Sequence, residues 1–375
     1  MIVVIADDIT GAAEIAGIGY RYGLKITFLT GENNKISPCD LLVYATDTRS
    51  MDKNEAVKEI LHVINYLKTQ LGKFSLFKKT DSALRGHITP EMEVLMKEMG
   101  YSCTLFLPEN PSKGRIVKNG IYFINNIPLE KTSFLYDPEF PANTSLVTQR
   151  IPGIRSLGIS DILPENGICI ADATNQKEIN QQLKKAHDNV LIAGAADLFT
   201  AYLQQLGYSL KRNTPFEGLN SHDALIVCGS TVSNSLESYP YVQRKQIKTA
   251  RMPLSVFEGA PADMWITETK TDYSSKHSYI VTIDHPAKKG KEYAIRLRSI
   301  IANLASEMLS AYLPEELIIE GGATAFALLK KLNWHEFDIT NEIAPGVVRM
   351  IYKKEKHPIY ITLKPGSYSW ETFFK

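Results

Sequence analysis

The stretch Lys78-Lys79-Thr80-Asp81-Ser82-Ala83-Leu84-Arg85-Gly86 holds three cations, one carboxylate and two hydroxyls within nine residues. A surface turn needs no such mixture. A site that grips a small polyhydroxy acid does: cations hold its carboxylate, and Asp and Ser hydrogen-bond its hydroxyls. A solvated polar turn is the plain alternative, and the flanking residues bear on the choice. Apolar residues 74–77 predict a buried strand before the stretch. Thr89-Pro90 predicts a helix start after it, with Thr at the N-cap and Pro at the first helical position. The stretch is therefore read as a strand-to-helix loop. In an open α/β sheet such loops form the ligand crevice at the carboxyl ends of the strands.

Two further loops have the same character. The apolar run 2–6 predicts a doubly buried strand, followed by Asp7-Asp8-Ile9-Thr10-Gly11 and a helix over about 12–22. One of the two carboxylates is expected to cap that helix while Asp8 faces the crevice. Strands are predicted at 25–29 and 40–45, the second ending in Thr46-Asp47-Thr48-Arg49-Ser50. Asp47 and Arg49 would bind hydroxyl and carboxylate groups, or pair with each other in a local turn. After a helix at 53–71 the chain enters the 74–86 segment. If these strands are parallel neighbours, three polar loops meet on one edge.

A helix at 90–99 and a strand at 102–107 follow. Next comes a stiff basic loop from Pro108 to Arg115, and a hairpin about Asn119-Gly120 with a short helix near Thr144. A β-α-β unit over 168–194, with Asp172 at a strand end, closes the first domain. The polar, irregular stretch 207–222 is the linker, which gives domains 1–212 and 213–375.

The second domain opens with a strand at 224–228 and Gly229-Ser230-Thr231-Val232-Ser233. Such a loop offers backbone N–H groups and hydroxyls to a phosphate, or is merely a small-residue turn. Strands at 279–283 and 317–319 flank a long helix at 291–312. Glu320-Gly321-Gly322-Ala323-Thr324-Ala325 then starts a helix, its paired glycines allowing close backbone approach. The chain closes with a hairpin through 360–363 and Lys364-Pro365-Gly366-Ser367. The fold class is α/β: two domains, each a mainly parallel sheet flanked by helices, with the ligand cleft between them.

Other classes are disfavoured. No Gly-x-x-x-x-Gly-Lys-Ser/Thr segment exists, and Gly17-x-Gly19 lies inside a predicted helix rather than in a first β-α turn. This argues against a P-loop enzyme and a nicotinamide-dependent dehydrogenase. A net charge of +1 gives no general pull toward nucleic acid or membrane. Cys39, Cys103, Cys169 and Cys228 are far apart and read as thiols in a reducing compartment. Met1 runs directly into Ile-Val-Val-Ile and then two Asp, no signal peptide is evident, and no apolar run is long enough to span a bilayer, so a cytoplasmic protein is expected.

The 6–11 segment, the Asp47-x-Arg49 pair, the 78–86 segment and the Gly114-Arg115–Gly120 loop, in this order and spacing, resemble the four-carbon acid sugar kinase family. The resemblance covers the whole chain, which is somewhat short for the family. It implies an amino-terminal domain that binds a tetronate-type sugar acid and a carboxyl-terminal domain that binds ATP. Phosphoryl transfer needs a base near the attacking hydroxyl; Asp8 is expected in that role, with Asp81 second. Arg85, Lys79 and Arg49 would hold the carboxylate or the moving phosphate, and Ser82, Asp47 and Arg115 would complete the sugar site. Ser230, Gly321, Gly322, Ala323, Thr324 and Gly366 would line ATP, with Mg²⁺ bridging its phosphates and no dedicated protein metal site. A small-molecule sugar acid is the expected partner, and a homodimer is compatible with it. This chain departs from the family's usual loops: Ala323 stands where Asp is usual, Thr231-Val232 replaces Cys-Ser, and Ser367-Tyr368-Ser369 follows Gly366 in place of Gly-Phe-Gly. A non-catalytic sugar-acid-binding relative is the alternative these changes suggest.

Overall fold

A computed structural model describes residues 1–137, 139–212, 223–229, 242–243, 245–273, 277–286, 290–353, 357–366 and 370. The chain divides into two compact units. One comprises Met1–Thr27 and Asn34–Arg212; the other comprises Phe28–Asn33 and Asn213–Lys375. A single cut after residue 212 does not account for Phe28–Asn33.

The first part of the chain gives β1 (Ile2–Ala6), α1 (Ile9–Arg21), β2 (Ile26–Leu29, whose Phe28 and Leu29 belong to the other unit), β3 (Leu41–Ala45), α2 (Lys53–Leu71), β4 (Ser75–Lys79), α3 (Ile88–Met99) and β5 (Cys103–Leu107). A small antiparallel sheet follows, of β6 (Arg115–Lys118), β7 (Ile121–Ile124) and β8 (Ile127–Pro128). Then come α4 (Val147–Arg150), β9 (Ile154–Leu157), β10 (Gly167–Ala171), α5 (Gln176–Leu183), β11 (Val190–Gly194) and α6 (Ala196–Gln205). The main strands run parallel in the order β3-β1-β4-β11-β5-β10-β9. All five residues of β1, β3 and β5 are buried, as expected of strands covered by helices on both faces. Ala6 pairs with Ala45 on one side and Lys79 on the other, so β3, β1 and β4 end level and their loops leave side by side.

Local boundaries differ from the sequence reading for identifiable reasons. β4 continues through Lys78 and Lys79, because each lysine finds a carboxylate inside the fold: Lys78 Nζ lies 2.5 Å from Glu91, and Lys79 Nζ 3.5 Å from Glu14. Helix α3 starts one residue before Thr89, with His87 at the N-cap and no side-chain cap bond. Pro90 still fits, because N–H groups of a first turn have no helical partner. Helix α1 begins at Ile9 rather than near 12, and the short helix predicted near Thr144 is Val147–Arg150.

The second unit carries β12 (Ala224–Cys228), β13 (Lys248–Arg251), β14 (Tyr279–Thr282), β15 (Glu316–Glu320), β16 (Glu336–Ala344), β17 (Val347–Tyr352) and β18 (Ile359–Lys364). Their order is β13-β14-β12-β15-β18-β17-β16. The first five are parallel and the last two joins are antiparallel. Long helix Lys291–Ala311 and the shorter Gly322–Lys331 flank them. Cys228 pairs with Glu320 and Glu320 with Lys364, so three strands again end level. Ile226, Cys228, Ile280, Ile318, Val347 and Trp370 build the core beneath. No helix among the described residues is long and apolar enough to cross a membrane.

Candidate active site

The level ends of β3, β1 and β4 gather Asp7, Asp8, Arg49, Asp81 and Arg85 into one charge cluster. Asp81 is its centre. Its Oδ1 accepts from Arg49 Nη1 and Arg85 Nη2, both at 2.9 Å. Its Oδ2 accepts from Arg85 Nε at 2.9 Å and from the backbone N–H groups of Ala83 at 3.0 Å and Arg85 at 3.3 Å. Burial pushes this carboxyl up, but the charges of Arg49 and Arg85 and the Arg85 hydrogen bonds outweigh it. They hold Asp81 well below the usual carboxylate range. Burial likewise lowers Arg85, and Asp81 more than reverses it, raising Arg85 above its ordinary value. Asp81 thus has no oxygen left for a substrate and is too weakly basic to take a proton. The second-base expectation for Asp81 gives way to a keystone that orients two guanidinium groups.

Of the two adjacent carboxylates, Asp8 is the one that caps α1, and it also faces the cluster. Asp8 caps α1: its backbone is extended and its Oδ1 accepts from Gly11 N at 2.8 Å. Its Oδ2 pairs with Arg49. Asp7 is the carboxylate turned inward, 3% exposed. Its Oδ2 lies 3.7 Å from Arg49 Nε, and its Oδ1 has no hydrogen-bond partner. A buried acceptor without a donor is costly unless something fills it. Gly86 approaches closely: a Cβ there would sit 3.4 Å from Asp7 Oδ2, and its φ is +92°. Leu84, two residues earlier, holds a left-handed φ of 59°, a strained choice for a bulky residue.

The remaining expected sugar-site residues lie around this cluster. Arg115 donates to Ser82 Oγ, and the Tyr122 hydroxyl donates to the Ser82 carbonyl. Arg85 and Arg115 both stand over the ring of Phe134, at 5.4 and 5.8 Å. Arg85 Nη1 also reaches Asp137 at 3.3 Å. Lys79 lies at the edge of the cluster, its charge acting on Asp81, while its Nζ donates to Thr80 O at 2.9 Å and faces Glu14, which Lys113 also meets. Burial pushes Glu14 up, and the two lysines more than offset it. Asp47 has a left-handed backbone, φ 56°, and accepts from Ser50 Oγ at 3.1 Å. Arg49, two residues on, turns to Asp7, Asp8 and Asp81. Asp172 holds the hairpin, accepting from Asn119 N and Gly120 N. One buried acid lies nearby: Glu109, just past β5, has neither oxygen hydrogen-bonded. Burial first, and the Asp172 charge after it, push its carboxyl well up, with its own backbone N–H opposing.

In the second unit the level strand ends bring Gly229, Gly321 and Lys364 together. Gly229 N donates to Glu320 O at 3.1 Å, and Gly321 N to Lys364 O at 2.9 Å. Beneath them Lys364 Nζ donates to Glu320 Oε1 at 2.6 Å and to Pro365 O at 3.2 Å, with both charged side chains fully buried. Trp370 Nε1 donates to the same Glu320 oxygen, and its ring lies 4.6 Å from the ammonium. Glu320 Oε2 has no partner. Gly229 lies so close to Thr324 that a Cβ would be 1.8 Å from its hydroxyl. Gly321 takes φ +97°, and Gly322 opens the helix with Ala323 exposed in its first turn. Gly366 follows Pro365 just past the end of β18. Ser230 lies outside the described residues. Among the described residues no group of three or more His, Cys, Asp or Glu could hold a metal ion.

Residues 2–202 match the family of sugar-binding N-terminal domains, and residues 225–374 the family of nucleotide-binding C-terminal domains. The chain belongs to the four-carbon acid sugar kinase family. A 3-oxo-tetronate kinase of Salmonella typhimurium is 25% identical, over 99% of this chain and 97% of its own. A D-erythronate kinase of Heliobacterium modesticaldum is 32% identical over 39% of this chain and 34% of its own. A solved Haemophilus influenzae protein shares the fold, with a TM-score of 0.72 and 22% identity over 99% of this chain and 98% of that one. Within the family framework, sequence reasoning missed four residues of these two clusters: Asp7, Asp137, Glu320 and Phe134. The readable signal was for Glu320, a carboxylate that ends an otherwise apolar strand core and sits directly before the paired glycines.

Proposed function

We propose that this chain is an ATP-dependent kinase that phosphorylates a hydroxyl of a four-carbon sugar acid of the threonate, erythronate or 3-oxo-tetronate type. The observation that carries the reading is the Asp7–Asp8–Arg49–Asp81–Arg85 cluster on level strand ends, in a chain whose full-length relatives are such kinases. The first unit is the sugar-acid domain and the second the nucleotide domain.

Asp7 Oδ1, the unfilled buried acceptor, takes a hydrogen bond from a substrate hydroxyl. Asp8 accepts the proton of the attacking hydroxyl through Oδ2, with Arg49 balancing its charge. The hydroxyl oxygen bonds to the γ-phosphorus as the bond to the β-phosphate oxygen breaks, leaving ADP. Arg85 and Arg115 hold the substrate carboxylate, Ser82 bonds a hydroxyl, and Lys79 supports the anion site from below. Asp47 shapes the loop that delivers Arg49. Gly321, Gly322, Thr324 and Gly366 let backbone N–H groups approach the phosphates; the crowded Gly229–Thr324 contact and the left-handed Gly321 fit such a cradle. Mg²⁺, carried by the phosphates, would neutralise their charge.

The test is ADP release with Mg-ATP against both enantiomers of threonate and erythronate and against 3-oxo-tetronates. Saturable turnover of one of them is expected, and Asp8→Asn should lower it by orders of magnitude with the fold intact. The second reading, a sugar-acid-binding relative that no longer uses ATP, draws on exposed Ala323 in place of the family's carboxylate. It is established if no acid is turned over and ATP does not shift the melting temperature.

A further inference from the structure

Arg85 is fully engaged by the protein itself. Nε and Nη2 form a bidentate fork on Asp81, and Nη1 meets Asp137 Oδ2. The two attachments are unequal. The Asp81 contacts are 2.9 Å; the Asp137 contact is 3.3 Å and sits on the outer side of a guanidinium that is 29% exposed. Asp137 does not depend on Arg85 for its place. Its Oδ1 accepts from Phe140 N at 2.8 Å and Glu139 N at 3.1 Å, and its own N–H donates to Phe134 O at 3.2 Å. Arg150 adds a second favourable charge, tethered to Phe140 O at 2.8 Å. Releasing Oδ2 therefore leaves a carboxylate that is still solvated by backbone N–H groups. Phe134, from the same short segment, sets its ring against both Arg85 and Arg115 and so brings the two cations to one place.

We propose that Asp137 is an internal stand-in for the substrate carboxylate: the acid binds by displacing Asp137 Oδ2 from Arg85 Nη1 and bridging Arg85 to Arg115. Asp137 is then a specificity residue. It keeps Arg85 oriented in the free enzyme and admits only ligands whose anionic group outcompetes it. Neutral polyols of the same length have nothing to exchange. The inference rests on the sugar-acid reading of this site.

The test is equilibrium binding by calorimetry of D-erythronate, D-threonate and the neutral polyol erythritol, without nucleotide, to wild type and to Asp137→Asn. The amide retains the Oδ1 acceptor for Glu139 and Phe140 but gives Arg85 no charge to hold. The expected result is about fivefold tighter binding of an acid, the scale of one weak ion pair, with no change for erythritol. The ligand-free variant should melt no higher than wild type. A purely structural Asp137 would instead weaken acid binding as stability falls. Wild-type binding that the variant does not improve, or an equal gain for erythritol, overturns the inference and leaves the sugar-acid reading standing. Failure of both acids to bind either protein removes both together.

Discussion

Replacing Glu109 by Gln is expected to stabilise the protein, by an amount that grows with pH. The side chain is fully buried, lacks a hydrogen-bond partner, and is held protonated by burial and by the Asp172 charge. In the unfolded chain the same carboxyl ionises near pH 4.3. Between that value and the raised folded value, the folded state binds the extra proton. Stability is therefore full below about pH 4 and falls as pH rises. The cost grows by about 1.4 kcal/mol for each pH unit between the unfolded value and the raised folded one. The Gln amide brings unpartnered donors of its own, costing about 1–3 kcal/mol at every pH. The variant is thus favoured once the pH stands about one to two units above the unfolded value, and its advantage vanishes or reverses near pH 4. Each kcal/mol of that gain is about 2–4 °C in Tm. Thermal melts of both proteins from pH 4.5 to 8, followed by circular dichroism, read this directly. A difference in Tm that stays flat across the series would refute the protonated, unpartnered state of Glu109.

Three further outcomes are expected. Glu320→Gln strands the buried Lys364 ammonium and should cost about 3–5 kcal/mol in urea unfolding, whereas the Glu320→Leu/Lys364→Met double variant should regain most of it; if the double variant is no better than the single, the pair is not the source of the loss. In the double variant the ATP-induced Tm shift should remain lost, because the loops at Gly321 and Gly366 no longer share that clamp. Asp81→Asn leaves Arg49 and Arg85 without their shared counter-charge and should also cost about 3–5 kcal/mol at pH 7. Since the folded carboxyl is held low, its stabilisation is full above about pH 4 and begins to fall below it, so the gap between variant and wild type should start to narrow as a urea series moves from about pH 5 toward about pH 3. Gly229→Ala drives a methyl into Thr324 and should cost about 1–3 kcal/mol, read as a lower Tm, with Thr324→Ser in the same chain relieving little because Thr324 Oγ1 is the nearest atom.

The strands that carry the sites were legible because burial on both faces leaves a continuous apolar signature, as in 2–6, 41–45 and 103–107. Their end loops were legible because polar residues clustered there. What escaped the sequence was orientation. Asp7 and Asp8 are the same side chain on adjacent residues, and only the extended backbone at Asp8 decides which one caps α1. Lys78 and Lys79 read as loop residues because charge argues for solvent, yet Glu91 and Glu14, distant in sequence, make them strand residues. Asp81 read as a second candidate base; its five donors are a property of the folded loop. Phe134 and Asp137 lie in irregular chain with no period to read.

Phe28–Asn33 belongs to the second unit, although the rest of that unit starts at residue 213. Thr30 donates its N–H to His335 O and its hydroxyl to Trp334 O, a partner 304 residues away. At about 5–20 residues per second of synthesis, these six residues leave the ribosome roughly 15–60 s before the residues that receive them. During translation the first unit must close around an excursion whose destination does not yet exist. An unclaimed stretch holding Phe28, Leu29 and Thr30 is then open to holdases and to premature pairing. The same arrangement means that the second unit is not a portable module: a fragment cut at 213 lacks a strip of itself, and restoring that strip calls for a chain rejoined in a different order.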